Sequence, residues 1–432
     1  MDYVLKNMTV LNGHKDMKPE TGKAVFVADG KIEKIASESE IPAGAKVVDL
    51  GGAYLMPGLI NMHMHTPING KPKKKQMNYE AAAKLLKLGP VAWAYHRICE
   101  ANVKQNLFAG ITTIRAVAGL PGYDTEIRDK INAGKLTGPR VLTSDYAISV
   151  PGGHMTGSVA LPANSLEEAV AMVEDLHKNY HPDLIKLMIT GGILDSKVPG
   201  EPGMLKMPAE YVNAACKKAH ELGYKVAAHV ESTEGMIVAL EGGVDTIEHG
   251  GKPTDEVIEL MKKNGSALIA TFSPAIPFQG VSDEFIGISE LGVINGRALF
   301  ENMTECVARC RAEGIPVGIG TDTGCPYTTD YDFWREMWYY ENICGVSPEE
   351  TVYTSTLLNA TIAGINQETG SVDEGKSADF VIVKENPLEN LETLRNPLKV
   401  VFRGTVYDRP KIKKIAEVER ALDGVMPIFS KK

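Results

Sequence analysis

Short apolar runs alternate with longer helical patterns through the middle of the chain. The helical stretches include 165–179 and 208–222, and Ser165 followed three residues later by Glu168 is a capping box that predicts a helix start. Runs spaced in this way predict strands separated by helices. The eight runs lie at residues 59–63, 111–117, 140–147, 184–190, 225–230, 245–249, 267–272 and 316–321.

Eight strands that alternate with helices predict an α/β fold of the parallel (β/α)8 or TIM-barrel type. A doubly wound open sheet is the alternative. That fold ordinarily carries a glycine-rich turn after its first strand, and no GxGxxG sequence follows residues 59–63. The pattern therefore favours the barrel.

The two ends of the chain differ from its middle, because short strand patterns there are separated by Gly, Asn and Pro. Asp29-Gly30 is a strong hairpin-turn signal between two of these strands. We expect the two ends to pair into one small β-sandwich domain, formed by residues 1–56 and 366–432. The barrel is then expected over residues 57–365.

The composition excludes several classes of protein. The 432 residues are 44% hydrophobic and 23% charged, which suits a large globular core rather than a disordered or disulfide-stapled chain. The net charge of −9 argues against a nucleic-acid partner. The basic cluster of Lys71, Lys73, Lys74 and Lys75 is better explained as a solvated loop than as an anion site.

The remaining global features favour a cytoplasmic location. No pair among the six cysteines has CxxC spacing, and Cys306 and Cys310 are expected to share a helix face as small apolar residues. No signal-peptide pattern is visible, and no apolar run approaches about 18 residues, so we expect no membrane span. Apolar surface on the outer helices of the barrel would suit a homo-oligomer.

Side chains that bind metals stand at the ends of the predicted strands. His63 and His65 end the first strand, and residues two apart on a strand point to the same face. His229, His249 and Asp322 end the fifth, sixth and eighth strands. A single strand-end histidine is more often a satisfied polar residue. Five such groups at the end where barrels place active sites predict a metal centre, with zinc favoured.

Lys186 lies inside the apolar fourth strand, where desolvation disfavours the charged form of an amine. A neutral amine can react with carbon dioxide to give a carbamate, which is an anionic ligand with two oxygen atoms. Such a group could bridge two metal ions about 3.5–4 Å apart. The alternative is a lysine paired with a buried acid such as Asp322.

These residues resemble the amidohydrolase superfamily, in its branch with two metal ions and a carboxylated lysine. The sequence GGH at 152–154, with IKLM at 185–188 and GG at 191–192, is most similar to the prolidase-like and imidazolonepropionase-like members. The other motifs that carry the resemblance are PGLINMHMH at 57–65, His229, IEHG at 247–250, GTD at 320–322 and GKSADFV at 375–381.

The resemblance implies a role for each of these residues. His63, His65 and Asp322 would bind one ion, His229 and His249 the other, and carboxylated Lys186 would bridge the two. A water between the ions would be the nucleophile, with Asp322 moving its proton to the leaving nitrogen. His154 would donate a hydrogen bond to the developing oxyanion. The alternative for His154 is a loop histidine in a glycine-rich turn.

Departures from the resemblance concern the substrate. Glu231 occupies a position where prolidase-like relatives often have Tyr, and its carboxylate would favour an amine or an uncharged ring over an anionic group. Arg115 could pair with a substrate carboxylate, or form a structural salt bridge. Residues 271–280 are expected to form a loop over the pocket. Four rings could line it, although core packing is favoured for them: Tyr327, Tyr331, Phe333 and Trp334.

The resulting hypothesis is a metal-dependent hydrolase that cleaves an amide-type C–N bond in a small molecule. The substrate would be a dipeptide or an N-acyl amino acid. Alternatives are hydrolysis of a cyclic amide or imidazolone, and deamination of a heterocycle at a single metal ion. A non-enzymatic scaffold is disfavoured, since no member of the ligand set is missing.

Overall fold

A computed structural model describes residues 1–72, 85–86, 88–193, 195–281 and 289–430. The strands in these ranges are β1 Tyr3–Val10, β2 Lys23–Ala28, β3 Lys31–Ser37, β4 Val47–Pro57, β5 Leu59–Met64, β6 Ile111–Ala116, β7 Arg140–Thr143, β8 Ala147–Ser149, β9 Ala160–Pro162, β10 Leu184–Met188, β11 Lys225–Val230, β12 Thr246–His249, β13 Ala267–Ala270, β14 Val317–Ile319, β15 Phe380–Val383, β16 Lys399–Phe402 and β17 Thr405–Asp408. The helices are α1 Gly89–Phe108, α2 Tyr123–Asn132, α3 Leu166–Asp175, α4 Ala209–Glu221, α5 Thr233–Glu241, α6 Asp255–Asn264, α7 Glu290–Ala312, α8 Phe333–Cys344, α9 Pro348–Tyr353, α10 Asn359–Ala363 and α11 Ala416–Val425.

Each of the eight apolar runs contains a strand, and neighbouring strands pair in parallel. The ring closes between the last strand and the first, where the N–H of Asp322 donates to the carbonyl of His63 at 2.8 Å. The α/β fold is therefore TIM-barrel-like. The C-terminal ends of β5, β11 and β12 consequently open on the same side of the ring.

The third predicted strand is divided into β7 and β8. Asp145 leaves the strand with a left-handed φ of 55°. Its carboxylate accepts hydrogen bonds from the N–H of Gly122 at 2.8 Å and from the hydroxyl of Thr125 at 3.0 Å. These contacts lie at the break between β7 and β8.

Strands from the two ends of the chain form a second sheet of seven strands, in the order β17-β16-β15-β4-β1-β2-β3. Strand β4 joins the ends, because it pairs in parallel with β1 and antiparallel with β15. The predicted turn is present between β2 and β3, where Asp29 and Gly30 have φ values of 51° and 73°. The two-layer sandwich and the domain bounds remain predictions.

The helix predicted after Ser165 begins there as α3. The Ser165 hydroxyl accepts the N–H of Glu168 at 3.2 Å, while the Glu168 carboxylate accepts the N–H of Asn164 rather than that of Ser165. Cys306 and Cys310 are both buried on α7.

Two global expectations concern parts of the chain that are only partly described. Within the described ranges, no helix has the length and apolar character needed to cross a membrane. Of the basic cluster, Lys71 is exposed, and Lys73, Lys74 and Lys75 lie outside the described residues.

Candidate metal centre

The predicted ligands meet at the C-terminal ends of the barrel strands. His63, His249 and Asp322 each offer a donor atom, and these atoms lie within 4.8 Å of one another. Asp322 Oδ1 is 3.4 Å from His63 Nε2 and 3.1 Å from His65 Nε2. The ring of His229 packs against that of His249, with centroids 4.8 Å apart. The five groups predicted from the strand ends therefore form one contiguous cluster.

The backbone is shaped to bring these side chains together. His249 and Asp322 have left-handed φ values of 69° and 55°, which are uncommon outside glycine and point to a functional constraint. A Cβ on Gly320 would lie 2.4 Å from the N atom of His63. Glycine at position 320 therefore permits the close approach of the last strand to the first.

Hydrogen bonds to the protein orient three of the imidazole rings. Nδ1 of His63 is bonded to Glu248 Oε2 at 2.7 Å, and Nδ1 of His65 donates to the carbonyl of Ala118 at 2.9 Å. Nδ1 of His249 is bonded to Thr271 Oγ1 at 2.7 Å. In each ring Nε2 is left for a metal, which is the usual arrangement of metal-binding histidines.

His229 is held by its other ring nitrogen. Its Nε2 donates to the carbonyl of Gly191 at 3.2 Å, so Nδ1 is the nitrogen left for a ligand. Burial, together with the charge of His154, lowers the pKa of His229 well below its usual value. Burial and His63 do the same for the pKa of His249. Both rings are therefore neutral, as metal binding requires.

Asp322 is in the ionised form that a ligand needs. Burial acts to raise the pKa of its carboxyl, but His63 and His65 outweigh that effect and hold the pKa well below its usual range. The carboxylate is thus stabilised by the same rings that would share a metal with it.

Lys186 is fully buried in β10, in the strand next to the one that carries His229. Its Nζ has no hydrogen-bond partner among the described residues. Burial lowers the pKa of this amine to about 8, although Glu248 and Asp322 act in the opposite direction. The hydrogen-bonded pair with Asp322 is therefore not formed. A buried amine without a partner fits the carbamate chemistry predicted for this position.

Arg115 lies in the barrel interior, in the arrangement of a structural salt bridge. Its Nη2 donates to Glu248 Oε1 at 2.6 Å. Its Nε donates to the carbonyl of Met62 at 2.7 Å, and Nη1 to Thr246 Oγ1 at 3.2 Å. A substrate carboxylate would have to displace Glu248, so this geometry gives no support to the expected substrate contact of Arg115.

Glu248 links that arginine to the metal cluster. Burial would raise the pKa of Glu248, but Arg115 and His63 prevail and hold it far below its usual value. Glu248 is thus ionised, and its carboxylate orients both Arg115 and His63 through hydrogen bonds.

Glu231 lies two residues beyond His229 and is buried. Its Oε2 has no hydrogen-bond partner in the part of the chain that the structure describes, and Oε1 is 3.9 Å from His229 Nε2. Burial, Asp322 and Asp195 raise the pKa of this carboxyl well above its usual value. A group in this state can donate a hydrogen bond, or become ionised beside a cation.

Two carboxylates of this region carry no sequence signal. Asp195 is bonded to His154 in the loop after β10. Glu336 of α8 accepts the N–H of Phe272 at 2.6 Å and that of Ser273 at 2.8 Å, and so fixes the chain beside Thr271. An acid within the aromatic sequence FWREMWYY is the only feature that could have marked Glu336.

The segment 271–280 and the four aromatic rings belong largely to the core. Ile276, Pro277 and Phe278 are buried in a turn of 3-10 helix. The four rings are 1–5% exposed. The guanidinium carbon of Arg335 lies over the indole of Trp334, 4.5 Å from the centroid of that ring. The four rings therefore pack in the core, as the sequence favours, and do not form an aromatic wall.

Removal of divalent cations is expected to lower the melting temperature, because ions that bind only the folded chain stabilise it by about 2.7 kcal/mol at 100 times their Kd. The measurement is calorimetry after chelator dialysis, with zinc or magnesium added back. Zinc should restore the transition, whereas magnesium, which prefers oxygen ligands, should not. An unchanged melting temperature across all samples would contradict the metal centre.

Comparisons with known sequences identify the family of the chain. A sequence profile of the Amidohydrolase family matches residues 54–407. The chain is 26% identical over 429 residues to an ochratoxinase from Aspergillus niger, covering 90% of this chain and 83% of that protein. It is 24% identical over 376 residues to an imidazolonepropionase from Pseudomonas fluorescens, covering 83% of this chain and 86% of the relative.

Solved structures show the same architecture. A Bifidobacterium longum protein described as a prolidase matches with a TM-score of 0.86 and 31% identity, over 98% of each chain. A Xaa-Pro dipeptidase with methionine in its active site shares the fold, with a TM-score of 0.81 and 24% identity over 94% of this chain and 99% of the other. Since the profile spans most of its length, this chain belongs to the amidohydrolase family and is a hydrolase that acts on carbon–nitrogen bonds.

Proposed function

We propose that the chain hydrolyses the amide bond of a dipeptide or an N-acyl amino acid, with two divalent cations held at the strand ends. The observation that carries the proposal is the convergence of imidazole nitrogens on Asp322 beside a buried, unpaired Lys186. The 31% identity to a protein described as a prolidase supports this substrate class.

The donor set divides naturally between two ions. His63 and His65 share Asp322 as their neighbour and would hold one ion with it. His229 and His249 would hold the other, and Lys186, as its carbamate, would bridge the two. Bound there, divalent ions of this kind, with zinc favoured, polarise a carbonyl and lower the pKa of a water so that it can attack near neutral pH.

Asp322 is the residue placed to move a proton. Its carboxylate is ionised, and Oδ2 accepts a hydrogen bond from the Cys325 thiol at 3.4 Å. We assign to Asp322 the transfer of the proton of the attacking water to the leaving nitrogen. His154, whose ring stacks on that of His229 with centroids 4.1 Å apart, would donate to the oxygen of the scissile carbonyl.

Glu231 sets a preference within this substrate class. Oε2 of this buried carboxyl has no partner among the described residues and would accept the free amino group of a dipeptide, whereas Glu231 offers no positive charge to a substrate carboxylate. The same group would also accept an N–H of a neutral ring. Hydrolysis of a cyclic amide or imidazolone is therefore the second candidate, and the 24% identity to an imidazolonepropionase is consistent with it.

Zinc-loaded, bicarbonate-treated protein is expected to release amine from members of a panel of dipeptides, N-acyl amino acids and small cyclic amides. Dipeptides with a free amino group should be turned over faster than their N-acyl counterparts, because only they bring a cation to Glu231. The measurement is amine release with metal content determined on the same sample.

The panel also separates the alternatives. Turnover of lactam or imidazolone rings alone would select the second candidate. Release of ammonia from a heterocycle by protein with about one ion per chain would select deamination. A protein that holds two ions and turns over nothing in the panel would contradict the proposed substrate class.

A further inference from the structure

His154 and Asp195 form a close pair beside the metal ligands. His154 Nδ1 lies 2.5 Å from Asp195 Oδ2. The His154 ring lies flat on that of His229, with centroids 4.1 Å apart and planes 9° from parallel. One face of the His154 ring is thus covered by a metal ligand, and one edge is bonded to a carboxylate.

The loop after β10 is shaped around this pair. The N–H of Gly192 donates to Asp195 Oδ2 at 2.9 Å. The carbonyl of Gly191 accepts a hydrogen bond from Nε2 of His229. A Cβ at Gly192 would lie 2.6 Å from Cε1 of His154. Glycine at position 192 therefore lets the backbone approach the ring that Asp195 holds.

We propose that Asp195 is a positioning residue, which fixes His154 so that its Nε2 faces the scissile carbonyl. The two nitrogens of an imidazole lie on different edges of the ring, so a carboxylate at Nδ1 determines which nitrogen the substrate meets. The inference rests on the proposed amide hydrolysis.

An alternative role for Asp195 is purely structural, as the anchor of its own loop. The two roles differ in what happens when His154 is absent. An anchor would still be needed, so its removal would carry the same cost in any background. A positioning residue has nothing left to position, so its removal would carry no further cost.

The test is a double-mutant cycle with Asp195→Ala and His154→Ala, measured on the panel amide that the wild-type protein hydrolyses fastest. Asp195→Ala should lower kcat about 10–100-fold and change KM less than about threefold, with metal content unchanged. Asp195→Asn keeps an oxygen acceptor for Nδ1 and should lose less. In the His154→Ala background, Asp195→Ala should have no further effect. Equal losses in both backgrounds would overturn the proposal.

Two further measurements complete the test. Asp373→Ala breaks the pair of Asp373 with His14, 2.9 Å apart in the terminal sheet region, and should leave kcat unchanged. In protein labelled with ¹⁵N-histidine, the Nδ1 proton of His154 should resonate far downfield and vanish in Asp195→Ala. If the wild-type protein hydrolyses no amide, the proposed function fails. Absence of that resonance from the wild-type protein overturns the His154–Asp195 pairing independently.

Discussion

Replacing Lys186 with alanine or methionine is expected to lower amide hydrolysis about 1000-fold, or roughly 4 kcal/mol of transition-state stabilisation. The reason is that neither side chain can form a carbamate, so the two ions lose the ligand that would hold them together. The bound metal should fall from about two ions per chain towards one. The measurements are kcat/KM and metal content on protein loaded in the presence of bicarbonate.

Comparing the alanine and methionine variants separates the effect of losing a metal ligand from the effect of emptying a buried position. Methionine fills the buried position of Lys186 with nearly the same volume, so the fold should survive in that variant while the metal content falls towards one ion per chain. Lys225→Ala is a matched control, because Lys225 begins the neighbouring strand and its Nζ donates to the carbonyl of Ile362 at 3.1 Å. That variant should keep two ions. A Lys186→Met protein with two ions and full activity would exclude the bridging role.

The cluster of candidate ligands could be predicted from the sequence because two simple regularities place these side chains together. Side chains two apart on a strand share a face, which pairs His63 with His65, and parallel strands of a barrel end on one side, which gathers His229 and Asp322. Burial of Lys186 followed from the apolar residues around it in its strand. These inferences need only local periodicity and the order of the strands.

The contacts that orient these candidate ligands could not be predicted in the same way. Arg115 and Glu248 lie on the second and sixth strands, so their ion pair crosses the barrel interior. Asp195 and Glu336 reach the site from a loop and from a helix that follows the last strand. None of these positions belongs to a repeating pattern, and the reach of a long side chain is decided only when the chain has folded.

The break in the third barrel strand could not be predicted from the sequence either. The run 140–147 looks continuous because apolar residues lie on both sides of Asp145, with Val141 and Leu142 before it and Tyr146 and Ala147 after it. Asp145 interrupts it, since its carboxylate satisfies the N–H of Gly122 and the hydroxyl of Thr125 in the preceding connection. A local signal for a strand was overridden there by polar contacts with a segment 20 residues earlier in the chain.

Arg115→Met is expected to destabilise the fold by about 3–5 kcal/mol, because it leaves Glu248 as a buried charge without its cationic partner. In the native chain both side chains are almost completely shielded, with 5% and 0% of their surface exposed. The measurement is denaturant or thermal unfolding of the metal-loaded protein. Arg309→Met is the matched control, since its partner Asp255 is 85% exposed, and the loss there should be at most about 1 kcal/mol.

The companion variant Arg115→Met with Glu248→Gln decides between a structural role and a substrate contact. If Arg115 serves to balance the buried charge of Glu248, removing that charge should recover at least about half of the stability lost, because a neutral amide is far easier to desolvate than a carboxylate. If Arg115 instead binds a substrate carboxylate, Arg115→Met should raise KM and leave unfolding unchanged. The three hydrogen bonds that its guanidinium makes inside the barrel favour the first result, since none of them would be available to a substrate without breaking a contact of the fold.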